Sequence, residues 1–251
     1  MTEHSHTNMT RLRAFGIHLG ISLLIFVVLA YLIVFVWYPG IFFDTDGGWR
    51  GMRIIIGVDL VLGPMLTLVV FKAGKPGLKF DLAAIALLQT VCLTAGTYIV
   101  WAERPLAVVY VDSRFEVMTT DDYAHLQPPP DLDQFPGPYP KRLMVKFPEG
   151  LEEATAARQA LFAGEHSPAT YVAGYVPFDH TDPIFTEDPR DIELIRTRDA
   201  GDDALVEWVQ THGGSLEDYR FYTFSTRYVY RYVGYRIGEG EMTGFLNVQP
   251  R

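Results

Sequence analysis

One carboxylate, Asp59, stands inside an apolar run of about twenty residues, 51–71. An ionisable group at membrane depth costs at least ~2.5 kcal/mol on insertion scales, so such a residue marks a functional site by default. The same run holds Gly57, Gly63 and Pro64. Glycines thin a helix and let another helix approach it. Pro64 removes one helix hydrogen bond and predicts a kink. A later apolar run contains Gln89. Counted inward from opposite ends at ~1.5 Å per residue, Asp59 and Gln89 reach similar depths, roughly 12 and 15 Å. Two uses of the acid follow. Gln89, with Thr90 or Ser22 nearby, could bond Asp59 and satisfy it inside one bundle. Alternatively, the acid and the glycine face await a helix from a partner.

Two further constellations carry possible chemistry. Asp179-His180-Thr181-Asp182, followed by Glu187-Asp188, offers two acids and a histidine within four residues. Those are donor types for a divalent cation. A proline-punctuated acidic stretch also reads as solvated turns, and no metal is assigned to it. His4 and His6 form a weaker His-x-His pair. Tyr228, Tyr230 and Tyr232 alternate with Val229, Arg231 and Val233, which places the tyrosines on one strand face. Such a row offers an aromatic binding face, although tyrosines half-buried in an antiparallel sheet are the commoner outcome.

Familiar catalytic signatures are missing from the sequence. It has no Ser/His/Asp or Cys/His pattern, no phosphate loop, no Gly-x-Gly-x-x-Gly and no Cys-x-x-Cys. The expectation is a non-enzymatic protein without cofactor or metal. The single Cys92 lies in an apolar run, which excludes an intramolecular disulfide and predicts a small buried hydrophobe.

These residues sit in a chain of two unlike halves. The net charge of −9 divides into +1 over residues 1–103 and −10 over residues 104–251. An acidic second half argues against nucleic acid as a partner. Residues 1–14 read as a cytoplasmic tail, and residues 15–37 carry no charge and form one span. Val28-Leu29-Ala30 could pass for a cleavage site, but the apolar run continues beyond it, which predicts an uncleaved anchor. Trp37 and Tyr38 mark the far interface, and His18 reads as an interfacial or packed histidine. Further spans are expected over 51–71 and 80–101, with Asp81 complementing the dipole at the start of the third helix.

Arg11, Arg13, Lys72, Lys75 and Lys79 flank one side of these spans, against Arg50 and Arg53 on the other. The positive-inside rule then places the N-terminus in the cytoplasm and residues 104–251 in the periplasm of a bacterial inner membrane. A hairpin over 106–119 opens that outer domain, and a proline-rich arm follows over 127–140. Strands are expected over 142–147, 170–178 and 242–248, and helices over 151–164, 191–198 and 204–211. The fold class is a membrane protein. Three transmembrane helices over 15–103 precede a periplasmic α+β domain over 104–251 with an antiparallel sheet.

The membrane half resembles the type IV pilin accessory proteins of the TfpX/TfpZ family. The resemblance rests on Arg11-Leu12-Arg13-Ala14-Phe15-Gly16-Ile17-His18-Leu19, on Trp37-Tyr38-Pro39-Gly40 and on Gly47-Gly48-Trp49. It is strongest at Gly57-Val58-Asp59-Leu60-Val61-Leu62-Gly63-Pro64-Met65-Leu66-Thr67-Leu68. It continues through Leu78-Lys79-Phe80-Asp81-Leu82 and from Arg104-Pro105 as far as Phe115. The resemblance implies a non-enzymatic inner-membrane chaperone in contact with lipid, which binds a cognate type IV major pilin and aids its stability or assembly. Candidate contacts are then Asp59, Gly57, Gly63, Pro64 and Gln89 in the membrane, with Tyr228, Tyr230 and Tyr232 outside it. Two alternatives stay open. One is a membrane-anchored periplasmic ligand-binding or sensor protein. The other is a metal-dependent periplasmic hydrolase centred on Asp179 and His180.

Overall fold

The computed structural model describes residues 10–186, 192–248 and 250. His4, His6, Glu187 and Asp188 lie outside the described residues. The chain divides into two compact units, Met1–Arg104 and Pro105–Arg251.

The first unit is built from α1 (Arg11–Trp37), α2 (Gly48–Val70) and α3 (Leu78–Ala102), each long and apolar enough to cross a membrane. Thr10 caps α1 by accepting the Arg13 N–H on its hydroxyl, which satisfies one of the unpaired donors of a helix start. Asp81 lies in the first turn of α3, as expected, and also pairs with Lys75 at 2.6 Å. The middle helix, α2, packs against both of its neighbours.

Pro64 has no N–H to donate, and α2 responds before reaching it. Residues Ile56–Leu62 form wide π-helical turns, and the Gly63 N–H donates to the carbonyl of Val58, five residues back. Asp59 sits inside this widened segment. Tyr38, expected as an interfacial marker, turns inward instead, with 2% of its surface exposed. Its hydroxyl donates to the Val100 carbonyl at 2.7 Å. A buried phenol needs such a partner, and here it ties the end of α1 to α3. Cys92 was expected to be buried but is exposed on α3.

The second unit holds a seven-stranded sheet. Its strands are β1 (Ala107–Val111), β2 (Arg114–Met118), β3 (Lys141–Val145), β4 (Tyr175–Pro177), β5 (Tyr219–Ser225), β6 (Tyr230–Arg236) and β7 (Glu241–Phe245). Their order across the sheet is β4-β3-β1-β2-β5-β6-β7. The sheet is mixed, which corrects the antiparallel expectation. Sequential hairpins give antiparallel neighbours, but β1 pairs β3 in parallel and β2 pairs β5 in parallel. A parallel pair needs a long crossover, and residues 119–140 supply the one that carries the chain from β2 to β3. That stretch is a built element. Its Leu132 and Phe135 pack into the core, and the buried Lys141 donates to the carbonyls of Phe135 and Gly137 at 2.9 and 2.7 Å.

Both faces of the sheet are covered. On one, Val109, Leu143 and Tyr175 pack with the proline-rich arm. Further along the same face, Leu205 and Trp208 of α5 (Gly201–His212) cover Tyr219, Phe221 and Tyr232. A Cβ on Gly234 would lie 2.2 Å from the Trp208 ring, so that indole needs a glycine beneath it. On the opposite face Tyr110, Phe115, Phe178, Phe185, Tyr222 and Tyr235 form a cluster with ring centroids 4.7–6.3 Å apart. Strand alternation assigns the two sets to opposite faces. The strand expected over 170–178 shrinks to β4, because two 3-10 turns occupy Pro168–Thr170 and Val172–Gly174. Helix α4 (Leu151–Ala163) forms where expected.

Candidate functional site

Asp59 is 4% exposed, and one of its oxygens gathers all three apolar helices. Asp59 Oδ1 accepts the Ser22 hydroxyl of α1 at 3.1 Å and the Gln89 amide of α3 at 3.3 Å. Ser22 and Gln89 are buried with it. Thr90, the other neighbour considered, bonds the Ala86 carbonyl of its own helix. Asp59 Oδ2 is buried and has no hydrogen-bond partner among the described residues. Nearer the Arg11 end, His18 Nδ1 and Thr67 Oγ1 lie 2.6 Å apart and link α1 to α2 again. A polar group with no water to bond must find a partner within the protein. Interhelical bonds of this kind contribute ~0.6–2 kcal/mol each.

The glycines of α2 divide between two tasks. A Cβ on Gly63 would stand 1.8 Å from Gln89 Nε2, so Gly63 is the notch that lets Gln89 reach Asp59. Gly63 and Pro64 are buried. They present no open face, which corrects the expectation that they border a groove for a foreign helix. Gly57 is exposed, and a Cβ there would meet nothing within 4 Å. The accessible glycine on this helix is therefore Gly57.

A second buried carboxyl lies just before α2. Asp46 is 4% exposed and accepts the Thr45 hydroxyl at 2.6 Å. Burial pushes its carboxyl up to about 7, against the smaller opposing effect of the Thr45 bond. The sequence has Asp44 and Asp46 side by side in one short loop, and no periodic signal there distinguishes the buried acid from the exposed one.

The tyrosine row does not form as expected. Tyr228 lies in the turn before β6, which is closed by the Thr226 N–H donating to the Val229 carbonyl. Tyr230 is 43% exposed, whereas Tyr232 is buried in the core under α5. Only Tyr228 and Tyr230 are accessible to a partner.

The acidic loop is folded into its own turn. Asp179 accepts both the N–H and the hydroxyl of Thr181, which hold its carboxyl below the usual carboxylate range. Asp182 pairs with Lys146 at 2.5 Å, and that bond lowers its carboxyl too. His180 lies beside Gly240. No three His, Cys, Asp or Glu side chains converge to hold a metal among the described residues.

Comparison with known proteins adds a family. The profile of the family described as fimbrial assembly protein FimB matches residues 7–40. A fimbrial assembly protein of serogroup I from Dichelobacter nodosus is 32% identical over 155 residues, covering 59% of this chain and 60% of that relative. The serogroup E1 protein of the same organism is 30% identical over 155 residues, with the same two coverages. A shorter fimbrial assembly protein, of serogroups C1 and C2, is 33% identical over 110 residues, which cover 43% of this chain and 83% of that relative. The chain thus spans 60% of the length of the two longer relatives. No solved structure matches it.

Proposed function

This chain belongs to the fimbrial assembly protein family, and on that premise we propose that it is an inner-membrane chaperone which holds a pilin subunit before assembly. The observation that carries the proposal is Asp59, a buried acid that draws three apolar helices together. A family relationship supports the pilus context, and a polar knot at membrane depth supports a site there.

In this reading the three helices span the membrane, with the N-terminus in the cytoplasm and residues 105–251 in the periplasm. The lysines and arginines at 11, 13, 72, 75 and 79 support that orientation. A pilin carries a long apolar helix that waits in the membrane. That helix docks along the open Gly57 side of α2, while Asp59, Ser22 and Gln89 fix the bundle that presents it. Pro64 and the π-helical turns set the path of α2 beside the docked helix. Tyr228 and Tyr230 are the accessible tyrosines for contact with the pilin's outer domain. The grip must be modest, because a chaperone that bound its client as strongly as the fibre does would not release it. No catalytic step, cofactor or metal is needed for this role. Photocrosslinking from position 57 in native membranes tests it.

A further inference from the structure

The sheet face that carries the proline-rich arm and α5 has a polar seam where an apolar one is expected. Strands β2 and β5 lie side by side at its centre, with Arg114 opposite Thr223 and Glu116 opposite Ser225. All four side chains point to the face that carries both apolar clusters, yet all four are only half-buried. The proline-rich arm covers the sheet on one side of this seam and α5 covers it on the other. The two covers part over β2 and β5.

Topology explains the gap. Both strands run in the same direction, and the chain leaves their C-terminal ends in opposite directions, from β2 towards β3 and from β5 towards β6. Adjacent parallel strands whose connections diverge leave a crevice at their C-terminal ends, which is where open sheets bind ligands. A cleft of about 530 Å³ opens there, within the ~300–1,000 Å³ range usual for binding pockets. A smaller depression of about 260 Å³, lined by Arg114 and Thr223, continues the seam at the other end.

The lining selects the ligand. Glu116, Asp121, Asp122 and Glu165 line the larger cleft against one cation, Arg227, which already pairs with Asp121 at 2.6 Å. Glu116 accepts the Ser167 hydroxyl and lies 3.6 Å from Arg114. The Glu165 carboxylate has no partner among the described residues. His125 and His166 also line the cleft and stack with centroids 3.6 Å apart, joining the two loops that border it. An anion would meet four carboxylates: Asp121 is paired with Arg227, Glu116 with Arg114, and Asp122 accepts the Thr119 N–H and hydroxyl, which leaves Glu165 as the open acceptor for a cationic donor. A polar lining disfavours an apolar group. The described residues offer no metal-ligand set. A cation remains.

We propose that this seam is the docking groove for a segment of the partner pilin's outer domain, with a lysine or arginine side chain of that segment entering the Glu116–Glu165 cleft. The proposal rests on the pilin-holding reading above and adds the contact chemistry outside the membrane. Charge complementarity of this kind sets partner choice and encounter rate.

The test uses the full chain in native membranes with its pilin and a photoreactive residue at Ala124, on the exposed rim of the cleft. A pilin adduct is expected. Glu165→Lys should weaken it at least about fivefold, and the milder Glu165→Gln should weaken it less. Neither variant touches the core, and a second probe at Gly57 should keep its pilin adduct in both. A Gly57 adduct without an Ala124 adduct, or an Ala124 adduct indifferent to both variants, overturns the groove and leaves the membrane reading intact. Loss of adducts from both probes in the parent chain overturns the pilin reading itself.

Discussion

Gly63 and Gln89 share one volume: a Cβ on the glycine would stand 1.8 Å from the glutamine's Nε2. The same amide donates to Asp59 Oδ1 at 3.3 Å. Helix α2 therefore uses its buried glycine to admit a polar side chain from α3, and the acid on α2 receives it.

Gly63→Ala should push Gln89 off Asp59 and lower the stability of the full chain in detergent by about 1–3 kcal/mol, the usual effect of overpacking. Adding Gln89→Ala removes the clash but leaves Asp59 with Ser22 alone, so it should recover only part of the loss. Gly57→Ala should leave stability unchanged, because nothing lies within 4 Å of the added methyl. Thermal unfolding of the four proteins separates these outcomes. Equal losses at 57 and 63 would contradict the division of tasks.

Asp59→Asn keeps an oxygen that can accept from Ser22 and Gln89, whereas Asp59→Leu leaves both donors unpaired. We expect the asparagine variant to accumulate and assemble pili at near-normal yield. The leucine variant should lose about 1–2 kcal/mol of bundle stability and most pilus yield. Protein level and pilus yield, measured together, distinguish lost stability from lost contact. Normal pilus yield from both variants would remove Asp59 from the account.

Asp46 predicts a pH dependence. Its carboxyl sits at about 7 when folded against 3.8 in a model peptide, so the folded chain holds this proton more tightly. Stability from this group is fully present below 3.8, falls as pH rises towards about 7 and is level above it. The parent should be more stable at pH 5 than at pH 8 by on the order of 2 kcal/mol. Asp46→Asn should flatten that difference. Chemical denaturation in detergent at the two pH values provides the check, and an unchanged slope in the variant would refute it.

Gly234→Ala should destabilise the outer unit by about 1–3 kcal/mol, since the added carbon would lie 2.2 Å from the Trp208 ring. Far-ultraviolet circular dichroism during unfolding reports it. A Trp208→Phe change in the same background should recover part of the loss, because the smaller ring leaves room for the methyl.

What the sequence reveals here follows physical rules of differing reach. Uninterrupted apolar length marks α1, α2 and α3, and depth counting along two such helices pairs Asp59 with Gln89, because a helix has a fixed rise. Alternation and a two-residue turn mark the β1–β2 hairpin, which is a local contact. Strand order is non-local. Nothing in residues 107–111 announces that they pair with 141–145 across a proline-rich arm, so the mixed sheet and the polar seam it creates stay hidden. Glycine is ambiguous for a different reason. Gly57 and Gly63 look alike in sequence, and only the position of Gln89 separates the open one from the filled one. Tyr228 leaves its expected strand because Thr226 and Val229 close a turn that period-two alternation cannot detect. Buried Asp46 is equally silent, since Asp44 two residues before it is exposed and no periodicity separates the two.

The most direct measurement is photocrosslinking in native membranes, with probes at position 57 on α2 and at Tyr230 on the outer unit. A pilin adduct is expected from both, with the position-57 adduct mapping to the pilin's apolar helix. Probes that express and insert normally yet capture no pilin would contradict the central claim.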